Sequence, residues 1–343
     1  MVEQREPVLS VRDLRTSFAM DTGTVEAVRG VSFDLYPGEV LGLVGESGSG
    51  KSALASSILG LLRSPPASVT GGPVSFGGRD LLRESRSGLR RIRGEEIAMI
   101  FQDPMTSFNP VRSIGQQIAE AIRVHHRVSR SAARARTVEL LRLVGMPSPE
   151  VRSKQFPHEF SGGMRQRAMI AMAMANEPKV IIADEPTTAL DVTVQAQILQ
   201  VLQTAQAETD SAILLITHDL GVVAELADRV IVMYAGRIVE SASVFDLFAA
   251  PRHPYTLGLL ASLPRVDADT DELVAIPGRP PSLSPPPRGC AFRARCELSR
   301  GRDLCRDEDP ALLPVAPGHL SACHFSDELA RPTDAAAPTE VRG

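Results

Sequence analysis

No run of apolar residues in the 343-residue chain approaches the ~20 needed to cross a bilayer, so any membrane role has to come through a partner. The opening stretch, MVEQREPVLS, carries acids and lacks the apolar centre of a signal peptide, which predicts a cytoplasmic chain. Positive charge is not in surplus. The 37 Lys and Arg stand against 41 Asp and Glu, for a net charge of −4, which argues against a general nucleic-acid binder. No heptad pattern is sustained, which excludes long coiled coils. No cysteine precedes position 290, so thiol chemistry is confined to the last part of the chain. What is present is ordinary for a soluble protein, at 43% hydrophobic and 23% charged residues. The length suggests about two domains.

The strongest local signal is Gly45-Glu46-Ser47-Gly48-Ser49-Gly50-Lys51-Ser52, which fits the phosphate-loop pattern G-x-x-x-x-G-K-[ST] without deviation. Residues 39–44 before it read as a buried strand, and residues 52–62 after it read as a helix. The chemistry needs that order: glycines turn backbone N–H groups toward phosphate oxygens, and the helix N-terminus adds positive potential. Lys51 would reach the β- and γ-phosphates, and the Ser52 hydroxyl would ligate Mg²⁺. The bland alternative, a plain glycine turn before a helix, weakens with each further string along the chain.

Upstream, residues 8–14 and 27–35 alternate as strands, with turn signals at 21–23 and 37–38. Phe18 falls on an early strand, where it would either stack on a nucleobase or serve as a core or edge aromatic. Residues 64–96 read as a Pro- and Gly-rich insertion around a short β-like piece at 73–76, and the basic run 83–93 reads as a solvated face. Residues 97–101 form another buried strand that ends at Gln102. Residues 111–157 are helical by pattern, with Ile114, Ile118, Ala121 and Ile122 on one face, then Val138, Leu140, Leu141 and Val144 on the next. Ser161-Gly162-Gly163 opens a third helix as N-cap and two glycines, either a second anion site or simply a capped start.

Residues 180–185 are an apolar strand ending in Asp184 and Glu185, at the end where open α/β sheets bind ligands. Asp184 there could hold Mg²⁺ and Glu185 could take a proton from water; the alternative is a solvated strand end. A loop through Asp191 leads to a helix at 194–208, then a buried strand at 212–217 ending in His218. A lone histidine is usually structural, but one at the carboxyl end of a core strand beside a phosphate loop points to the γ-phosphate. Residues 230–239 read as a closing hairpin.

With these strings in place, residues 8–240 resemble the ATP-binding subunits of ABC transporters. The phosphate loop, the Gln102 loop, the Ser161-Gly162-Gly163 signature, the Asp184-Glu185 strand end, the Leu190-Asp191 loop and His218 follow that family's order. Met164 stands where the signature usually has glutamine, a variant common in the peptide-uptake branch. Beyond residue 250, His253-Pro254-Tyr255-Thr256 looks like the HPYT motif of dipeptide and oligopeptide importers. The proline cluster 280–287 and the segment 289–296 follow the same branch's C-terminal extension.

The resemblance implies an α/β P-loop NTPase of the ABC ATPase type. It would have a parallel core sheet, an N-terminal antiparallel β subdomain, an inserted α-helical subdomain at about 110–175 and a Cys-containing extension. The expected division is 1–250, 251–330 and a disordered end at 331–343. Two such subunits would sandwich ATP between one phosphate loop and the other's Ser161-Gly162-Gly163 helix end. In that reading Gly45, Ser47, Gly48, Ser49, Gly50, Lys51 and Ser52 hold the phosphates, Phe18 meets the base, and Asp191 joins the nucleotide site. Ser52, Gln102 and Asp184 serve Mg²⁺, Glu185 polarises the water and His218 orients the attack.

The implied partners are two transmembrane permease subunits, reached through the helical segment, and a second ATPase subunit, with a mixed pair favoured over two copies. An extracytoplasmic binding protein would select the solute, and no nucleic acid is involved. The subunit would lie peripherally on the cytoplasmic face of the membrane. The expected activity is ATP hydrolysis powering import of dipeptides or oligopeptides, with a related nickel-type or other small-solute importer as the alternative. A soluble ABC ATPase acting on DNA or ribosomes fits less well, since neither coiled coils nor a second phosphate loop is present.

Cys290, Cys296, Cys305 and Cys323 are spaced C-x5-C-x8-C-x17-C. In a cytosolic chain, four clustered cysteines favour a metal over disulfides, and the C-x₂₋₄-C knuckle common to zinc sites is absent. An iron–sulfur cluster, zinc and free thiols all stay open on spacing alone. The resemblance implies a [4Fe–4S] cluster.

Overall fold

A computed structural model describes residues 6–21, 23–188, 190–263 and 276–329. Thr22 in the first turn, Ala189 in the loop before Asp191, and the expected disordered end at 331–343 lie outside the described residues.

Strands β1 (Leu9–Met20) and β2 (Gly23–Leu35) pair antiparallel, with Phe18 opposite Val25. β3 (Val40–Val44) is buried along its whole length and runs into the loop that opens α1 (Lys51–Ile58). β4 (Ala67–Thr70), β5 (Val74–Phe76) and β6 (Arg79–Asp80) return to the first sheet, whose order is β2-β1-β5-β6 with β4 also on β1. Helix α2 (Arg86–Ile92) follows. It carries most of the basic run, yet Arg93 just after it is not solvated throughout. Its guanidinium donates to the carbonyls of Leu59 (2.8 Å) and Gly60 (2.7 Å), which the end of α1 leaves without helical partners.

β7 (Ile97–Ile100) leads to α3 (Pro104–Ser107), α4 (Ile114–His125), α5 (Arg130–Leu143), α6 (Pro149–Arg152) and α7 (Gly162–Ala173). Ser113 and Gln116 form a reciprocal capping box that fixes the start of α4, a feature that adds about 1 kcal/mol. Ile114, Ile118 and Ile122 are buried on one face, as their spacing predicts. On α5 the inner face is Ala133, Thr137, Leu140 and Leu141 rather than one that includes Val138. Thr137 tolerates that place because its hydroxyl donates to the Ala133 carbonyl at 2.8 Å.

β8 (Val180–Asp184), α8 (Val192–Thr209), β9 (Ala212–Thr217), α9 (Leu220–Leu226), β10 (Arg229–Tyr234) and β11 (Arg237–Ser243) complete the main sheet's inner part. α10 (Val244–Ala249), α11 (Pro254–Ala261), α12 (Asp303–Asp307), β12 (Leu313–Ala316) and β13 (His319–Ser321) follow. The main sheet runs β12-β13-β11-β10-β3-β9-β8-β7. Its five strands from β10 to β7 are parallel, and β11, β13 and β12 are added antiparallel. Residues 313–321, well past the parallel strands in sequence, are therefore built onto the core sheet. Buried His319 and buried Glu240 meet at 2.7 Å across the β13–β11 pairing.

Alternate residues of the parallel strands feed two cores. Val180, Ile182, Leu214 and Ile216 pack with Leu54, Ile58 and the N-terminal sheet. Ile181, Ala183, Ile213 and Leu215 pack with the helices on the other face. Burial on both faces explains why these strands read as unbroken apolar runs, each buried Val, Leu or Ile side chain contributing about 1.5–3 kcal/mol. The register aligns Val44 with Thr217, Asp184 with Ile216, and Ile100 with Ala183, so the carboxyl ends of four neighbouring strands open on one edge. No helix among the described residues is long and apolar enough to cross a membrane.

Candidate functional site

That edge gathers the sequence motifs. Across the order β3, β9, β8, β7 lie the phosphate loop, His218, Asp184 with Glu185, and Gln102. The loop needs its glycines for space as well as for backbone angle. A Cβ on Gly45 would lie 2.2 Å from the Met233 carbonyl, and one on Gly50, where φ is +105°, 2.2 Å from the Ala27 carbonyl. Gly48 has φ +79° and nothing within 4 Å of a Cβ, so the loop's outer side is open. Ser49 is buried, and its hydroxyl has no hydrogen-bond partner.

Lys51 is folded back onto the loop. Its Nζ donates to the Gly45 carbonyl at 2.6 Å and to the Glu46 carbonyl at 3.0 Å. Burial pushes its ammonium below the usual lysine range, against the pull of Glu185, Asp184 and Glu46. The Ser52 hydroxyl donates to Asp184 Oδ1 at 3.1 Å. Burial holds the Asp184 carboxyl above the usual range, opposed by that bond and assisted by the like charge of Glu185.

Glu185 is where three strand ends converge. Its Oε2 accepts from Gln102 Nε2 at 2.9 Å and from the Thr188 hydroxyl at 2.7 Å, and lies 3.5 Å from His218 Nδ1. It sits at φ +47°, a left-handed conformation costly for a non-glycine residue and held here by the Glu185 N–H bond to the Ile216 carbonyl at 2.8 Å. Thr188 is a contact that sequence reasoning missed; its place three residues after Glu185 is the only local signal for it.

Ser161, Gly162, Gly163 and Asp191 form a second locus. Ser161 accepts the Met164 N–H, and Asp191 caps α8 by accepting the Val194 N–H at 2.9 Å. Gly162 lies against Leu190 and Gly163 against Val194, where a Cβ would come within 2.7 Å. This exposed helix start is on α7, apart from the loop on α1. Phe18 is half-buried on β1, whose partner strand β2 touches the loop through Ala27.

A groove of about 900 Å³ lies in the α4–α6 region, lined by Arg112, Arg123, Arg130, Arg134 and Lys154 among others. It contains neither the loop nor the strand-end acids, so the nucleotide chemistry is assigned to the sheet edge.

As to metals, Ser52 and Asp184 present two hard oxygen donors where the loop meets its helix. Among the described residues no group of three or more His, Cys, Asp or Glu is disposed to hold an ion unaided. The Ser52–Asp184 pair suits Mg²⁺, which relies on one or two carboxylates and on substrate phosphates. Cys290, Cys296, Cys305 and Cys323 are all free and line one pocket with His253 and Phe292. Burial pushes the Cys290 thiol up to about 12 and Cys323 up to about 11, and also raises Cys296 and Cys305. Backbone N–H groups oppose this at three sulfurs: Phe292 at Cys290, Ser299 and Leu298 at Cys296, and Phe325 at Cys323. His253 is buried and its imidazole is pushed down to about 3 by desolvation, so it stays neutral; its Nδ1 accepts the Tyr255 N–H at 3.1 Å.

The chain matches the family model described as ABC transporter over residues 28–188. It matches the one described as oligopeptide/dipeptide transporter, C-terminal region, over residues 239–305. It is 54% identical over 323 residues to the probable peptide ABC transporter ATP-binding protein y4tR of Sinorhizobium fredii, covering 94% of this chain and 96% of that one. It is 56% identical to the dipeptide transport ATP-binding protein DppD of Bacillus subtilis, over 95% of this chain and 96% of that one. It is 48% identical to the oligopeptide transport ATP-binding protein OppD of Escherichia coli, over 94% of each. Among solved structures, it is similar to the dimeric ATP-binding cassette MJ0796 in a post-hydrolysis state bound to ADP and Pi. That similarity has a TM-score of 0.62 and 26% identity, over 69% of this chain and 98% of that one.

Proposed function

The chain belongs to the ATP-binding proteins of ABC transporters, and from that premise we propose that it powers peptide import by hydrolysing ATP between two facing ATPase subunits. The observation that carries this reading is the convergence of Gln102, Thr188 and His218 on Glu185, beside the Ser52–Asp184 contact and the phosphate loop. The named peptide, dipeptide and oligopeptide relatives support the substrate class.

In this mechanism the N–H groups of residues 48–52 and the Lys51 ammonium take up the triphosphate, Lys51 exchanging its two loop carbonyls for phosphate oxygens. Ser52 and Asp184 would hold Mg²⁺, which would supply charge neutralisation at the triphosphate. Glu185 orients a water for attack on the γ-phosphorus and receives its proton; the bond to the β-phosphate oxygen breaks, leaving ADP and phosphate. Gln102 and Thr188 hold the Glu185 carboxylate, and His218 contacts the γ-phosphate. Ser161, Gly162 and Gly163 of one subunit close over the nucleotide of the other, while Phe18 meets the base and Asp191 supports the closing loop. The ADP- and Pi-bound dimer of the similar cassette supports that arrangement.

Two permease subunits would dock on the helical region, whose basic groove between α4 and α6 offers the surface, on the cytoplasmic face of the membrane. The ATPase partner is a related second subunit, and an extracytoplasmic binding protein delivers the peptide. Co-expression with permeases and binding protein in vesicles tests the function. Peptide should raise ATP hydrolysis about tenfold, a difference of about 1.4 kcal/mol in barrier. Stimulation by nickel but not by peptide would overturn the substrate class.

The four cysteines are proposed to hold a [4Fe–4S] cluster. The support is their shared pocket and the N–H groups aimed at sulfur, which stabilise ligated thiolates. Cys290, Cys296, Cys305 and Cys323 would each ligate the cluster through its thiolate. Anaerobically purified protein should be brown and contain iron and sulfide. Colourless protein with zinc and no iron would contradict this assignment.

A further inference from the structure

Glu46, at a position that the phosphate-loop pattern leaves unspecified, is held at three points. Its backbone N–H donates to the Tyr255 hydroxyl at 2.7 Å. Its carboxylate receives a two-pronged bond from Arg295, at 2.8 and 2.9 Å. Its carbonyl accepts Lys51 Nζ. Tyr255 belongs to α11 and Arg295 to the segment between Cys290 and Cys296, so both outer contacts come from beyond the main fold.

Arg295 is only 5% exposed in its side chain. Its guanidinium also donates to the carbonyls of Pro277 (2.9 Å) and Ile276 (3.3 Å) and to the Tyr234 hydroxyl (3.5 Å). The guanidinium also lies over the rings of Tyr234 and Phe292, at 5.9 and 5.8 Å. Those two rings pack with Tyr255, with centroids 4.6 to 5.4 Å apart. A buried arginine is costly unless its fork is filled, and here the filling group is a carboxylate on the nucleotide loop.

We propose that Arg295 and Tyr255 are positioning residues for the phosphate loop, through which the cysteine-bearing extension sets the loop's grip on MgATP. The proposal rests on the ATPase reading. Two physical effects support it. The first is order: a loop pinned before the ligand arrives loses less freedom on binding. The second is charge. Glu46 already acts on Lys51 electrostatically, and an uncompensated carboxylate on the loop would repel the triphosphate. Arg295 cancels it.

The test uses the intact assembly, with the MgATP dissociation constant, kcat at saturation and thermal midpoint measured together. Arg295→Ala should weaken MgATP binding by about tenfold, or 1.4 kcal/mol, with kcat within about twofold of wild type. The double variant R295A/E46Q should recover most of that affinity, because the naked carboxylate is gone. A role confined to holding the fold together would leave the double variant no better than R295A. Tyr255→Phe keeps the ring and removes only the acceptor, and should weaken binding by about threefold. If R295A does not assemble, Tyr255→Phe and the double variant carry the test. Wild-type affinity in R295A and Tyr255→Phe, or a double variant as weak as R295A, would overturn the proposal. Failure of the wild-type assembly to bind MgATP would instead overturn the ATPase reading.

Discussion

Glu185→Gln is expected to bind MgATP with wild-type affinity and to turn it over at least about a hundredfold more slowly. The amide keeps the shape and retains an oxygen for Gln102 Nε2 and the Thr188 hydroxyl, which now bond to the Glu185 carboxylate at 2.9 and 2.7 Å. It cannot accept a proton from water. The phosphate contacts lie elsewhere, on the loop and Lys51, so binding survives. Phosphate release under single-turnover conditions, beside nucleotide binding at equilibrium, separates the two effects. Wild-type turnover would remove Glu185 from its proposed role, and lost binding would place it in the phosphate grip instead.

Gly163→Asp should produce the same split from the opposite surface. A carboxylate at the start of α7 would meet the facing subunit's triphosphate where the helix end now offers N–H groups. A Cβ there also comes within 2.7 Å of Val194. Turnover should fall by about a hundredfold, the scale on which removal of one positioned charge-stabilising group acts. Binding to the variant's own phosphate loop should stay unchanged, because that loop is on α1. Hydrolysis at the wild-type rate would argue that α7 takes no part in a shared site.

Much of this site is legible in the sequence because its parts are local. The phosphate loop is one string of eight residues, and the strands that deliver Asp184, His218 and Gln102 are buried on both faces, so they stand out as apolar runs. Parallel pairing then brings their ends together at one edge. What stayed hidden depends on distance along the chain. Glu46 meets Tyr255 and Arg295 across 209 and 249 residues, and no periodicity links such positions. β12 and β13 are too short to announce that the extension joins the main sheet. Arg93 looks like one more surface charge until the carbonyls at the end of α1 are placed beside it. The left-handed backbone of Glu185 is imposed by its bond to Ile216 on the neighbouring strand, and a glutamate carries no sign of it.

Equilibrium binding of MgATP to the purified chain, measured beside Lys51→Ala, tests the central claim most directly. Saturable binding that needs Mg²⁺ and is lost on removing the Lys51 ammonium is the predicted result. No binding to either protein, or equal binding to both, would contradict it.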